Sequence, residues 1–246
     1  MANKNRGFRE MAAKDSKATI SQQRVLDAAA RIFRHSGYAG TTMRAVADEA
    51  GLQAGSLYYY YKGKDELISA VLDSGMNNVA TLVKEALAAL PAGASAQQRL
   101  EKAIEAHISA IIAVGDYTLA TRRVFGQLPP SIRARHMRLR NVYGALWDQL
   151  LADGKTSGEF RPEADLKLGR LFLLGALNWT AEWYKPGSRS ITDIAQAFSI
   201  LILNGLVQPT EPTQTPQNPA KSRPRLATRP LRSAGAGLQP VARPSR

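Results

Sequence analysis

The sequence predicts an all-α protein with a small N-terminal three-helix domain and a larger C-terminal helical domain. Three observations support this fold class. Apolar residues recur at intervals of three and four over most of the chain, no segment shows the alternation of a strand, and a glycine turn joins two short helical segments before residue 62. The 246 residues, of which 44% are hydrophobic, are enough for one small and one larger domain.

The first two predicted helices are delimited by glycine and threonine residues. Helix one is expected over about residues 21–36, because its apolar side chains share one face and Gly37 follows where a left-handed cap would end the helix. Thr42 can cap helix two with its hydroxyl, and Gly51 ends that helix after about two turns. The apolar positions of helix two are Met43, Val46, Ala47 and Ala50. This face is expected to be buried, which leaves Arg44 outside.

The third helix must be short, since the space between Gly51 and Lys62 holds only a tight turn and two helical turns. Leu57 and Tyr61, four residues apart, are predicted to face inward. The outward positions are small or polar, as is required of the helix that a helix-turn-helix motif places in the major groove of DNA. Residues 20–66 are therefore predicted to form a helix-turn-helix DNA-binding domain.

Ten residues of this domain are predicted to contact DNA. They are Thr42, Arg44, Gln53, Ala54, Gly55, Ser56, Tyr58, Tyr59, Tyr60 and Lys64. Amide, hydroxyl and small apolar side chains suit base edges, whereas tyrosine hydroxyls and a lysine at a helix N-terminus suit phosphate oxygens. Arg44 is the candidate for reading guanine, and its alternative is a solvated helix residue. The alternative for the consecutive tyrosines is a hydrophobic cluster, which we accept for Tyr61 and in part for Tyr58.

Residues 21–71 resemble the DNA-binding domain of TetR/AcrR-family transcriptional regulators. The resemblance is carried by the segments FRHSGYAGTTM, VADEAGL and GSLYYYYKGKDEL, which include a threonine pair, a glycine turn, a Leu-Tyr dipeptide and a lysine before a long fourth helix. Two positions depart from the family pattern, because Gln53 stands where serine is usual and Tyr60 where histidine is common. The resemblance implies a dimeric regulator of a bacterial cytoplasm whose DNA binding responds to a small molecule.

The larger domain is predicted over residues 67–207. Its first helix carries an apolar stripe that runs from Leu67 past Leu82 to Leu90, and Pro91 ends it. Further helices are expected at about 96–114, 117–127, 130–153, 165–185 and 191–207. The fourth helix thus joins the two domains and can transmit movement between them.

The last two predicted helices are apolar on nearly every side. A helix that is apolar all round must be buried on both sides. In so small a domain this favours packing against a second subunit as a four-helix bundle with two-fold symmetry, although a core-only role is the alternative. The larger domain is therefore a predicted dimerisation domain, and a two-fold dimer would recognise a palindromic operator with half-sites about one helical turn or more apart.

The same domain is expected to bind a small-molecule effector in a mostly apolar pocket with a few polar groups. The candidate ligand-binding residues are Tyr117, Phe125, Met137, Trp147, Asn178, Trp179 and Trp183, with Tyr143 and Phe172 as further candidates. Asn178 stands out because a polar amide in an apolar helix needs a partner, which a ligand or the other subunit can provide. For most of the others the alternative is an ordinary place in the core.

Two segments bear on the chemistry of the effector. Basic residues cover more than one side of residues 131–140, and they either receive the phosphates of a coenzyme A thioester or form a solvated basic face. Residues 175–188 are similar to the corresponding part of family members that sense coenzyme A thioesters of fatty-acid or steroid-ring degradation. In the steroid-ring branch an arginine and a tryptophan would be expected in place of Leu174 and Asn178.

The net charge of +13 is concentrated at the two ends of the chain, with +3 in residues 1–19 and +6 in residues 208–246. Residues 1–19 are predicted to be a basic, disordered arm that helps to grip DNA. Residues 208–246 contain eight prolines and almost no large apolar residue, so this tail is also predicted to be disordered. The tail either attracts phosphates in a salt-dependent way, or is a solubilising tail or the product of a late stop codon.

Composition and motifs do not favour other classes of protein. The chain has no cysteine, its three histidines are scattered, and neither HExxH nor GxSxG occurs, so no enzyme activity, cofactor or metal site is predicted. No signal-peptide-like or membrane-spanning segment is found, and we expect a cytoplasmic protein without a membrane partner. The sequence thus favours a ligand-responsive DNA-binding transcriptional regulator, most simply a repressor. The alternative is a ligand-independent architectural DNA-binding protein with basic ends.

Overall fold

The computed structural model describes the backbone of residues 2–207 and the side chains of residues 19–207. Its helices are α1 (Ala2–Gly40), α2 (Met43–Glu49), α3 (Ala54–Tyr60), α4 (Lys64–Ala88), α5 (Ala96–Ala113), α6 (Gly115–Val124), α7 (Pro130–Thr156), α8 (Leu166–Trp183) and α9 (Ile191–Leu206). A short 3-10 turn, Phe125–Gln127, follows α6, and Phe160 forms an isolated bridge with Val207. The predicted all-α fold is confirmed. The predicted tail, residues 208–246, lies outside the described residues.

The first helix differs from its prediction at the N-terminal end. α1 begins at Ala2 instead of near Ser21, so the backbone of the predicted disordered arm is helical here. The arm contains no proline and is rich in alanine, lysine and arginine, which have high helix propensity and let the helix extend outward. Its other end agrees with the prediction, because Gly37 adopts a φ of 66°. A side chain there would be strained and would approach the Gln127 side chain to 3.0 Å.

The buried apolar side chains form two clusters that meet along α4. The first, here called the head cluster, combines residues of α1, α2, α3 and the start of α4 with residues of α6 and with Leu128 and Ile132. The second, here called the body cluster, combines the rest of α4 with α5, α7, α8 and α9. The head core therefore includes α6, which lies far from it in sequence.

The fourth helix contributes to both clusters through one face. Leu67, Ile68, Val71 and Leu72 belong to the head cluster, and Val79 and Val83 belong to the body cluster. Leu82, which was predicted on the same stripe, is 43% exposed. It lies on the flank of the helix, beyond the line of Val79 and Val83 that faces α5 and α7. The apolar face of α4 is therefore narrower than the sequence predicted.

Among residues 2–207, no single helix is long and apolar enough to cross a membrane. One pair of helical segments, Ala96–Ala113 and Gly115–Gln127, reaches the required length and composition only when taken together, and it is bent by 81°.

Candidate DNA-binding surface and effector site

The turn between α2 and α3 is fixed by local hydrogen bonds. Thr42 Oγ1 accepts a bond from the Ala45 N–H at 3.1 Å and so caps α2. At the other end Gly51 has a φ of 66°, and the Leu52 N–H donates to the Ala47 carbonyl at 2.9 Å. The predicted cap and glycine turn are both present. They hold the start of α3 in a defined orientation relative to α2.

The first turn of α3 presents small and polar residues to solvent. Gln53 is the N-cap of α3, and its side chain makes no capping bond, so its amide stays available. Ala54, Gly55 and Ser56 are exposed as well, and a Cβ on Gly55 would meet no atom within 4 Å. Opposite them Leu57 is fully buried in the head cluster, as predicted. Burial of this one side chain anchors α3 while the predicted base-contacting side stays open.

The division of the consecutive tyrosines into buried and exposed residues differs from the prediction. Tyr59 is 86% exposed and Tyr58 is 52% exposed, whereas Tyr61 is buried and accepts a bond from Gln22 Nε2 at 3.3 Å. Tyr60, predicted to point outward, is half-buried against the head cluster and packs edge-on to Tyr59 with ring centroids 5.4 Å apart. Tyr60 follows Leu57 by three residues, so the two share one flank of the helix. Tyr58 and Tyr59 are therefore more accessible to DNA than Tyr60 and Tyr61.

The N-terminus of α4 carries two lysines. Lys64 Nζ donates to the Tyr38 carbonyl at 2.9 Å and lies 4.5 Å from the centroid of the Tyr38 ring, which holds the ammonium in place. Burial and a hydrogen bond to Asp65 raise the pKa of Tyr38 to about 12. Lys62, which the sequence analysis did not select, is exposed beside this site. Its position in the sequence could have identified it as a candidate phosphate contact, because it precedes Gly63 and the backbone amides at the start of α4.

A buried polar cluster lies inside the larger domain. We define it by His107 on α5 and by Tyr143 and Trp147 on α7. His107 Nδ1 and Tyr143 Oη are 2.7 Å apart, and the Trp147 ring stands edge-on to His107 at a centroid distance of 5.6 Å. The histidine was missed because nothing in the sequence distinguishes it from any other residue on the apolar face of α5.

The protonation states of this cluster follow from burial. Burial lowers the pKa of His107 to about 4, and the Asn178 side chain acts in the opposite direction. Burial also raises the pKa of Tyr143, so its hydroxyl keeps its proton. We assign Tyr143 as the donor to Nδ1, because its proton has no other acceptor among the described residues, and this assignment puts the imidazole proton on Nε2.

Two polar atoms of the cluster, His107 Nε2 and Trp147 Nε1, make no hydrogen bond of standard geometry within the described chain. Asn178 is nevertheless close enough to His107 to raise its pKa, and Trp147 is close enough to Tyr143 to lower the pKa of that hydroxyl. The two nitrogens come from different helices. The cluster can therefore bind an acceptor, such as a carbonyl oxygen, that enters between α5, α7 and α8.

The structure disperses the other predicted ligand-binding residues. Tyr117 lies in the head cluster, Phe125 packs edge-on to His136 with centroids 6.2 Å apart, and Met137 is on the surface of α7. Only Trp147, Asn178 and Tyr143 come together, around His107. Asn178 itself is exposed and borders the cluster instead of lying within the helix core. Helical periodicity showed that these residues are on apolar helices, but not which neighbour each one faces.

A further group of candidates lies on the exposed sides of α8 and α9, here together called the outward apolar face. Its large apolar residues are Leu168, Leu171, Phe172, Trp179 and Trp183 on α8 and Ile200 and Leu201 on α9. Phe172 is 71% exposed and Leu201 is 74% exposed. Exposed apolar surface of this extent is typical of an interaction site. Phe172, Trp179 and Trp183 therefore belong to this surface and not to the interior of the domain.

The basic segment of α7 is largely occupied by contacts within the chain. Arg135 pairs with Asp73 of α4, and Arg133 donates to the Leu128 carbonyl at 3.1 Å. Arg140 lies over the Phe125 ring, 5.8 Å from its centroid. These arginines tie α7 to α4 and to the 3-10 turn, which accounts for most of the basic residues between positions 131 and 140.

Comparisons with known proteins agree with this architecture. A family model described as "Bacterial regulatory proteins, tetR family" matches residues 25–71, and one described as "Tetracyclin repressor-like, C-terminal domain" matches residues 93–206. The HTH-type transcriptional repressor KstR2 of Rhodococcus jostii is 27% identical over 187 residues, covering 75% of this chain and 90% of the relative. The fatty acid metabolism regulator protein of Bacillus subtilis is 24% identical over 181 residues, covering 73% and 91%.

Solved structures share the fold. The ketosteroid transcriptional regulator KstR2 of Mycobacterium tuberculosis aligns with a TM-score of 0.67 at 23% identity, over 76% of this chain and 95% of that one. FadR from Bacillus subtilis, solved in complex with stearoyl-CoA, aligns with a TM-score of 0.63 at 20% identity, over 74% and 98%. These matches show the fold, and the two family models, which together match most of the chain, show that it belongs to the TetR family of DNA-binding transcriptional regulators.

Proposed function

We propose that the chain is a homodimeric repressor that binds a palindromic operator and releases it when an acyl-coenzyme A thioester binds the larger domain. The observation that carries the DNA-binding part is the open first turn of α3. Gln53 and Ser56 are exposed there and Leu57 anchors the helix from behind. This arrangement lets the backbone approach base edges in a major groove.

The dimer is supported by the outward apolar face of α8 and α9. Leaving residues such as Phe172 and Leu201 in water forgoes about 1.5–3 kcal/mol for each large side chain that could be buried. A second copy that presents the same face would cover it with two-fold symmetry. Such a dimer carries two α3 helices, which accounts for a palindromic operator.

The effector class is supported by the buried polar cluster and by the relatives. His107 Nε2 and Trp147 Nε1 offer two N–H donors within an otherwise apolar bundle. A thioester carbonyl is a suitable acceptor, and an acyl chain is suitable for the apolar surroundings. One relative is a fatty acid metabolism regulator, and one solved neighbour holds stearoyl-CoA. No catalytic step is assigned to the chain.

Release from DNA would follow from differential binding. An effector that separates α5, α7 and α8 binds the opened body better than the closed one and so shifts the population toward it. α4 contributes to both clusters, so a change in the body reaches the head through this helix. The heads of the dimer would then stand at the wrong separation for adjacent major grooves.

The test is binding of the full-length protein to DNA from its own upstream region, at several salt concentrations, with and without acyl-CoA thioesters of increasing chain length. Binding to one palindrome that a thioester abolishes is the expected result. Equal, steeply salt-dependent binding to every sequence would instead identify an architectural DNA-binding protein. Specific binding that no thioester weakens would overturn the effector class and leave the repressor intact.

A further inference from the structure

A groove of about 510 Å³ lies where α1, α6 and α8 meet, and it contains three arginines. Its lining residues are Arg34, Leu119, Arg122, Arg123, Ala181, Glu182 and Tyr184. We propose that this groove binds a phosphate group of the effector and thereby couples effector binding to the position of the head. The inference rests on the proposed function and adds to it a second contact site with a stated ligand chemistry.

Two of the three arginines of the groove are held in weak, exchangeable ion pairs. Arg34 pairs with Asp116 at 2.6 Å, and Arg122 pairs with Glu182 at 3.3 Å. All four of these side chains are between one third and one half exposed, so solvent screens both pairs and each contributes little to stability. A phosphate offers three acceptor oxygens that match the planar guanidinium fork, so it can replace a carboxylate partner at small cost.

Arg123 is the available cation of the groove. Its side chain is exposed and makes no ion pair or hydrogen bond with the described part of the chain. Beside it, Arg122 is kept in place by stacking on Trp179, with the guanidinium carbon 3.8 Å from the ring centroid. One fixed and one free guanidinium on adjacent residues can bind one phosphate from two sides.

The position of the groove on α8 connects it to the buried polar cluster. Asn178 borders the cluster, while Ala181 and Glu182 line the groove. From position 178 to position 182 the helix rises only about 6 Å. The cluster and the groove are thus close along α8, so a ligand with a flexible arm between a carbonyl and a phosphate can contact both. Acyl thioesters of a phosphorylated carrier have both groups in one molecule.

The groove also joins the parts of the protein that must move together. Arg34 lies on α1, which carries the head cluster, and Glu182 lies on α8, which belongs to the body. A phosphate that attracts Arg34 weakens its pair with Asp116 at the start of α6. The direct contact between α1 and α6 would thus be replaced by a contact in which the ligand bridges the two helices.

The test compares Arg123→Gln with Arg138→Gln in the full-length protein. Arg138 is also exposed, but it lies on α7 and is not among the residues that line the groove. Binding of coenzyme A, pyrophosphate, stearoyl-CoA and stearate is measured by calorimetry, and operator release is measured by fluorescence anisotropy. We expect Arg123→Gln to weaken binding of the three phosphate-containing probes about tenfold, to leave stearate binding and operator affinity unchanged, and to raise the stearoyl-CoA concentration needed for release.

Each outcome bears on one of the two proposals. Equal loss of coenzyme A and pyrophosphate binding in both arginine variants, or no binding of either probe to the wild type, would overturn the groove as a phosphate site. Release of the operator by stearoyl-CoA that is unaffected by Arg123→Gln would support the proposed function and overturn the coupling role. A groove that binds pyrophosphate in a protein that no thioester releases would support the phosphate site and overturn the effector class instead.

Discussion

The hydroxyl of Tyr117 on α6 donates a hydrogen bond to the Asp27 carboxylate on α1 at 2.7 Å. Gln23 Nε2, also on α1, donates to the same hydroxyl at 3.1 Å. Burial raises the pKa of Tyr117, so this hydroxyl stays a donor throughout the pH range in which the protein folds. The contact joins residues 90 positions apart and fixes α6 against the first helix of the DNA-binding domain.

The Tyr117→Phe variant removes this hydroxyl and keeps the ring. We expect a loss of about 1–2 kcal/mol in the free energy of unfolding, because the partly buried Asp27 carboxylate loses one of its two side-chain donors and keeps only Gln23. Urea denaturation checks this value. Tyr58→Phe is the matched control, since Tyr58 is half exposed and forms no such bond in the described chain, and it should change stability by less than about 0.5 kcal/mol. Equal losses of stability in the two variants would contradict a stabilising role of the Tyr117–Asp27 hydrogen bond.

The Gly154→Ala variant should be strongly destabilised. A Cβ at Gly154 would lie 2.2 Å from Cδ2 of the fully buried Phe160 ring, and this ring cannot move away without disturbing the core. We expect a loss of about 2–3 kcal/mol from overpacking, read from thermal or urea unfolding. Gly115→Ala is the control, because a Cβ there meets no atom within 4 Å. Wild-type stability of Gly154→Ala would show that the ring is free to rearrange.

Stability should fall on acidification because His107 is buried in its neutral form. Its pKa is about 4 in the folded protein and about 6.5 when unfolded, so the unfolded state binds more protons between these values. The loss should reach about 2 kcal/mol between pH 7 and pH 5. His136, whose pKa burial also lowers, contributes in the same direction. His107→Gln should flatten the pH dependence, whereas His35→Gln, at an exposed position, should leave it unchanged.

The Phe172→Arg variant should dissociate the proposed dimer. An arginine in the centre of the outward face of α8 would be buried without a partner, and we expect the dimer dissociation constant to rise by about a hundredfold or more. Sedimentation velocity measures it. Val142→Arg, on the surface of α7, is the control because Val142 is 68% exposed but lies outside the α8–α9 face. A dimer that survives Phe172→Arg would place the interface elsewhere.

Two substitutions in α3 should separate base recognition from phosphate contact. Gln53→Ala should reduce discrimination between the operator and a scrambled duplex by about 1–3 kcal/mol, because an amide reads a base edge. Tyr59→Phe should weaken binding to both duplexes by a similar few-fold factor, because phosphate contacts carry no sequence information. Fluorescence anisotropy with the two duplexes distinguishes these patterns, and the reverse assignment would show that Tyr59 is the base-reading residue.

The helix order could be predicted from sequence because local signals determine it. Gly51, Pro91 and the proline pair before α7 mark the boundaries, and the apolar period between them indicates helices whose ends agree with the structure to within about three residues. Inward-facing Leu57 and Tyr61 were predicted by the same period. The beginning of α1 was not, because a polar segment without proline gives no local signal that separates a helical extension from a flexible arm.

The buried polar cluster of the proposed effector site could not be predicted from local signals. His107 and Tyr143 are 36 positions apart, and their contact depends on how α5 packs against α7. The same holds for Phe172, whose apolar ring fits a pocket and an intersubunit surface equally well in a sequence. Tyr60 shows that helical period does not predict burial reliably even within one short helix. A shift of one residue along the helix decides whether a ring points to solvent or packs against the head cluster. Such distinctions require the packing of several helices at once.

Because α4 is long, a small change of its tilt at one end produces a large displacement at the other. Its 25 residues span about 37 Å, with one end packed in the head cluster and the remainder in the body cluster. A tilt of only about 10° at the body end would displace the other end by about 6 Å, which is nearly two base-pair steps of 3.4 Å. In the proposed dimer, a small rearrangement of the body that tilts α4 would shift the two α3 helices out of register with their half-sites.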